Sequence, residues 1–136
     1  MKNSHVAFTN MKTCFHNLDY LEKALNKLEI NNCRSLNEND LQQEKFNLII
    51  NQSNGHDIMF NWSGEEYELI VDTSFWKQDC PVETFIDKIA QQYANEVIIS
   101  EGEKLGFQPV KYQQNQDGSK TLVLERWNNN LIQNIK

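Results

Sequence analysis

Residues 56–72 read HDIMFNWSGEEYELIVD, and their spacing decides what kind of fold this chain builds. Ile58, Phe60 and Trp62 alternate strictly with their neighbours, Ser63-Gly64 supplies a turn, and Tyr67, Leu69 and Val71 resume the alternation. A period of two is the mark of a strand with one buried and one wet face. Two such runs joined by a short turn form an antiparallel pair, with Glu66 and Glu68 on the solvated side. Upstream, Phe46–Asn51 is a third strand-like run, followed by Ser53-Asn54-Gly55, a hairpin signal. The three runs predict an antiparallel meander.

Helical spacing flanks the meander. Asn17 is placed to cap a helix through Leu18, Leu21, Leu25 and Leu28, which Asn31-Asn32 ends. His5–Phe15 before it is compatible with a strand, and Asn37–Glu44 is polar and irregular. After the meander, Val82, Phe85, Ile86, Ile89, Ala90, Tyr93, Ala94, Val97 and Ile98 form one apolar stripe of a long helix. Pro81 suits its first position, Glu83 a capping box, and Leu105-Gly106-Phe107 its stop. A last hairpin carries Val110 and Tyr112, turns at Asp117-Gly118, and returns through Leu122 and Leu124 to Trp127. The expectation is an α+β fold of one domain over residues 1–136. One antiparallel sheet, meander plus C-terminal hairpin, carries two helices on one face, and residues 128–136 form a tail that is either frayed or docked.

Composition narrows the function. The 136 residues carry a net charge of −6 with scattered basic residues, which argues against a nucleic-acid footprint. No apolar run approaches a membrane span and the N-terminus lacks a signal-peptide core, so a soluble, unprocessed chain is expected. Cys14, Cys33 and Cys80 are odd in number and far apart, which favours a reducing compartment. Asn is the commonest residue, Ile and Lys are plentiful, and Ala, Gly, Pro and Arg are scarce, a bias that suggests an A/T-rich genome such as an organelle's.

Chemistry-bearing patterns are sparse. Cys14-x-His16 with His5 lacks a second pair of zinc ligands, so no metal is expected. No GxSxG, GxGxxG or Walker loop is present, and no cofactor is expected. Glu96 and Glu103 share a helix face without an accompanying ExxH, which reads as a solvated surface. The stretch Asp72–Phe85, DTSFWKQDCPVETF, is more informative, with adjacent aromatics between strand and helix. Continuing the parity of Tyr67, Leu69 and Val71 points Phe75 inward and Trp76 outward. Trp76, with Asp72, Lys77 and Asp79 around it, is then the candidate partner-binding site. Against this stands the reading that packing favours, in which both rings seal the corner between sheet and helix.

Several stretches carry a family resemblance. They are Gly55–Trp62, Tyr67–Asp72, Phe75-Trp76, Val82-Glu83, Phe85, Gln92-Tyr93-Ala94, Gly106-Phe107-Gln108, Asp117-Gly118-Ser119, Leu122-Val123-Leu124 and Arg126-Trp127. With Ser4-His5 and Asn17–Leu21, they resemble the hypothetical chloroplast reading frame thirty-five family of cyanobacteria and algal plastids. Cys80-Pro81 departs from that family's more Ser-like helix start. The resemblance implies the chloroplast stroma of a plastid, or the cytoplasm in a cyanobacterium, and brings no catalytic residues. It also suggests an AAA-type ATPase as protein partner. The leading expectation is a non-enzymatic accessory or interaction protein acting on a larger assembly, of unassigned oligomeric state. A small enzyme or ligand-binding domain is the alternative, with its cleft near Asp72, Trp76 and the start of the long helix.

Overall fold

The computed structural model describes residues 8–36, 46–118 and 120–126. They fall into two units: the first extends to Tyr93 and the second begins at Ala94, with one long helix contributing to both.

The first unit is built on a five-stranded antiparallel sheet. Its strands are β1 (Phe8–Lys12), β2 (Cys33–Leu36), β3 (Phe46–Ile50), β4 (Ile58–Trp62) and β5 (Tyr67–Asp72). The spatial order β1-β5-β4-β3-β2 makes β2 to β5 a meander, with β1 added beside β5. Helix α1 (Leu18–Lys27) carries the chain from one sheet edge to the other. Register puts Leu48 opposite Phe60, and Phe60 opposite Leu69, so the alternating residues of three strands share one face. Leu21 and Leu25 of α1 cover that face, together with Phe85 and Ile89 of α2 (Val82–Lys104). α1 through Leu21 and Leu25, and α2 through Phe85 and Ile89, thus bury apolar residues on the same side of the sheet, as the periodicity predicts.

Polar groups lock this arrangement. Asn17 caps α1, its side chain accepting from Tyr20 N at 3.1 Å. The Tyr93 hydroxyl accepts from the backbone N–H groups of His16 and Asn17, at 3.1 and 3.0 Å. Tyr67 is fully buried and its hydroxyl donates to Phe46 O at 3.0 Å; burial pushes its pKa up to about 12. Arg34 of β2 grips Glu22 of α1 through two hydrogen bonds of 2.8 Å, which hold the Glu22 carboxyl below its usual range.

Helix α1 stops earlier than Asn31-Asn32 suggests. Glu29 takes a left-handed conformation with φ 60°, its N–H reaching Asn26 O while Ile30 N reaches Leu25 O. That bond pair is a Schellman motif with a glutamate where glycine is usual. Strand β2 then follows in a segment whose sequence shows no alternation, because it pairs at an edge with β3.

The second unit holds the end of α2 and a separate two-stranded sheet, β6 (Phe107–Gln114) and β7 (Lys120–Arg126). The C-terminal hairpin is therefore not a continuation of the meander. Gly106 ends the helix in the left-handed region, at φ 89°. Gly102 is approached by Leu124 Cδ1, which would lie 3.3 Å from an added Cβ. Val110, expected inward with Tyr112, is instead 47% exposed. The register slips between Pro109 and Lys111, and the bulge turns Val110 out of the ladder. The apolar stripe of α2 also changes character: Ile98 is exposed and Glu96 is buried, not solvated. Glu96 lies seven residues after Ile89 and three after Tyr93, so it falls on their side of the helix. Trp127 and residues 128–136 lie outside the described residues.

Candidate functional site

The candidate site forms at the corner between β5 and α2. Strand parity does not survive beyond Asp72, because Thr73–Phe75 forms a single turn of 3-10 helix. Asp72, buried, caps that turn by accepting from Ser74 N at 3.0 Å. A helical turn rotates successive side chains by far less than the half-turn of a strand, and this reverses the expected division of labour. Phe75 is the outward ring, 42% exposed, and stacks on His56 with 3.7 Å between centroids and 4° between planes. Trp76 turns inward. It meets Phe85 edge-on at 5.1 Å, and its Nε1 donates to Cys80 O at 2.6 Å.

Gln52, buried after β3, fixes the same corner from the opposite side. Its Oε1 accepts from Lys77 N at 2.7 Å and from Gln78 Nε2 at 3.0 Å, while its Nε2 donates to the carbonyls of His56 and Phe75. Asn54 adds a donation to Phe75 O at 2.8 Å. The hairpin turn between β3 and β4 is thereby tied to the chain entering α2. Nothing in its spacing marks Gln52 out in advance, since its role depends on long-range convergence.

Beyond this corner opens a cleft of about 350 Å3. Its lining comes from three places: Leu28 and Ile30 from the end of α1, Lys77 to Cys80 from the connecting loop, and Phe85 and Lys88 from α2. The Schellman turn at Glu29 sets Leu28 and Ile30 at the wall, and the Trp76–Cys80 bond folds the loop over the start of α2. Pro81 accepts from Phe85 N at 2.9 Å, placing it one position before the helix rather than at its first residue. Lys77, Asp79 and Lys88 are exposed, and among the described residues neither lysine is ion-paired.

Of the four residues singled out by sequence, Lys77 and Asp79 line the cleft; Trp76 and Asp72 stand behind it and shape the loop. Among the described residues the other patterns do not converge. His16 Nδ1 lies 3.0 Å from Glu65 O, Cys14 and Cys33 are exposed, and His5 is outside the described residues. Among the described residues no three His, Cys, Asp or Glu side chains gather in a metal-holding group. No described helix is long and apolar enough to cross a membrane.

Fold and corner together define an α+β protein with a lysine-edged cleft where a connecting loop meets its long helix. Residues 24–123 match the model of a protein family of unknown function, DUF1257, and the chain belongs to that family. It is 56% identical over 118 residues to the uncharacterized protein ycf35 of Trieres chinensis, covering 84% of this chain and 92% of that one. The ycf35 proteins of Guillardia theta and Pyropia yezoensis are 36% and 34% identical, over 88% and 89% of this chain and 96% and 97% of theirs. These relatives are plastid-encoded proteins of algae, consistent with a plastid setting. No solved structure matches the chain significantly.

Proposed function

We propose that this protein acts by binding: it is a non-enzymatic accessory protein of the plastid stroma whose working surface is the cleft at the start of α2. The observation that carries the reading is the cleft itself. Its volume of about 350 Å3 falls in the range of small-molecule sites, and its lining divides evenly between apolar residues (Leu28, Ile30, Cys80, Phe85) and polar ones (Lys77, Gln78, Asp79, Lys88). Three sequence-distant segments build it, and the hydrogen bonds of Gln52 and Trp76 hold the loop in place before any ligand arrives.

A thermal-shift screen of plastid metabolites against the native protein tests the reading. A ligand at a hundred times its Kd should stabilise the fold by about 2.7 kcal/mol. Ile30→Trp, which fills the cleft from the α1 side, should abolish that shift. A screen without stabilising compounds, or shifts that persist in Ile30→Trp, would refute the reading.

One observation favours a second reading, docking to a larger protein assembly. Phe75 and His56 present a stacked, exposed aromatic pair whose backbone is already fixed by Gln52 and Asn54. Exposed rigid aromatics suit interface anchors. Phe75→Ala should then abolish capture of a stoichiometric partner from plastid extract while leaving ligand shifts at the cleft intact.

A further inference from the structure

We propose that the cleft selects an amphipathic organic anion: one acidic head group on an apolar body. This rests on the binding function proposed above and specifies its ligand class.

The chain as a whole carries −6, yet the cleft is edged by Lys77 and Lys88 against Asp79 alone. Neither lysine is ion-paired among the described residues, so no carboxylate among them contacts either ammonium directly. The cleft lies beside the first turn of α2, where Glu83 offsets part of the positive end of the helix. Asp79 at the same edge opposes a doubly charged head, since a second negative charge would sit against its carboxylate.

The walls decide the rest. Leu28 and Ile30 are only partly buried, and Phe85 closes the same cavity from α2. An inorganic ion would leave these apolar surfaces in water, whereas an apolar body covers them and gains the corresponding transfer energy. The side chain of Gln78, donating to Gln52 Oε1, supplies a lining amide held in one orientation. Head and body thus have separate, adjoining places.

Two small fluorescent probes of similar shape separate the terms. 8-Anilinonaphthalene-1-sulfonate carries one anionic group and N-phenyl-1-naphthylamine carries none. Binding is followed by fluorescence titration of the full chain, and the site is located by backbone amide NMR shifts at residues 28–30, 77–80 and 85–88. The sulfonate should bind there more tightly than the neutral probe, and more weakly as salt rises. Lys77→Gln with Lys88→Gln should reduce its affinity about tenfold, equivalent to about 1.4 kcal/mol, and leave the neutral probe unchanged. Both lysines are exposed, so the double variant should keep the native circular dichroism spectrum and melting temperature. Equal binding of both probes in the cleft, indifferent to the lysines, overturns the anion preference and leaves the binding function standing. Amide shifts absent from the cleft with either probe overturn both.

Discussion

Replacing Trp76 with alanine should unfold the protein far more readily than replacing Phe75, although strand parity alone argues the reverse. Burying and then deleting a large aromatic costs about 3–5 kcal/mol when the side chain is fully enclosed. Trp76 is partly exposed, so its packing share is smaller, but it also loses the edge-on contact with Phe85 and the 2.6 Å donation to Cys80 O. Together these predict a loss of about 2–4 kcal/mol. Phe75 is 42% exposed and rests mainly on His56, so Phe75→Ala should cost only about 0.5–1 kcal/mol. Trp76→Phe should fall between, keeping an aromatic edge on Phe85 and losing the N–H donor. Urea unfolding followed by far-UV circular dichroism measures all three without depending on tryptophan fluorescence. The Cys80 carbonyl lies on the cleft-lining residue that Trp76 holds, so Trp76→Ala should also weaken sulfonate-probe binding under conditions where the fold persists. A Phe75→Ala loss equal to or above that of Trp76→Ala would show that the turn at Thr73–Phe75 does not reverse the two rings.

Ile89 is fully buried between helix and sheet, and Ile89→Ala should lower stability by about 2–5 kcal/mol in the same urea assay. Glu29→Gly should act oppositely, raising stability by about 0.5–1 kcal/mol through relief of the left-handed strain at φ 60°; a loss on substitution would contradict the strain. Tyr67 titrates near pH 12 when folded, above the ordinary value of 10. Its contribution is therefore complete below pH 10 and lost as pH rises through 12, at up to about 1.4 kcal/mol per pH unit. Tyr67→Phe should flatten this part of the alkaline stability profile measured by urea midpoints, and an unchanged slope would assign the effect to other groups.

How far the sequence could be read depended on whether a signal was local. The meander was legible because Ile58, Phe60, Tyr67, Leu69 and Val71 each report a buried face through period-two spacing, and all are nearly inaccessible in the structure. Asn17 at the start of α1 and Gly106 after α2 were legible for the same reason: a cap is a property of neighbouring residues. β2 was not, since Cys33–Leu36 has no buried rhythm of its own and becomes a strand only by pairing with β3. Nor does spacing separate a hairpin that extends a sheet from one that forms its own, as β6 and β7 do.

At residues 72–76 local chemistry marks the corner, while the structure exchanges the expected roles of its two rings. Asp72 followed by Thr73 and Ser74 contains the chemistry of a capped turn, and Asp72 does accept from Ser74 N. Once that cap forms, strand parity carries no information past Asp72, and the inward ring becomes Trp76. Lys77 and Asp79 then follow as consequences of the loop that Trp76 anchors through Cys80, which is why they reach the cleft while Trp76 itself stays behind it. Leu28 and Ile30 join them only through the packing of α1 and α2 on one sheet face, a convergence across some fifty residues of chain that no local pattern encodes, while Lys88 follows nearby on α2. Reading the cap before the parity recovers the two rings; the opposite wall of the cleft requires the fold.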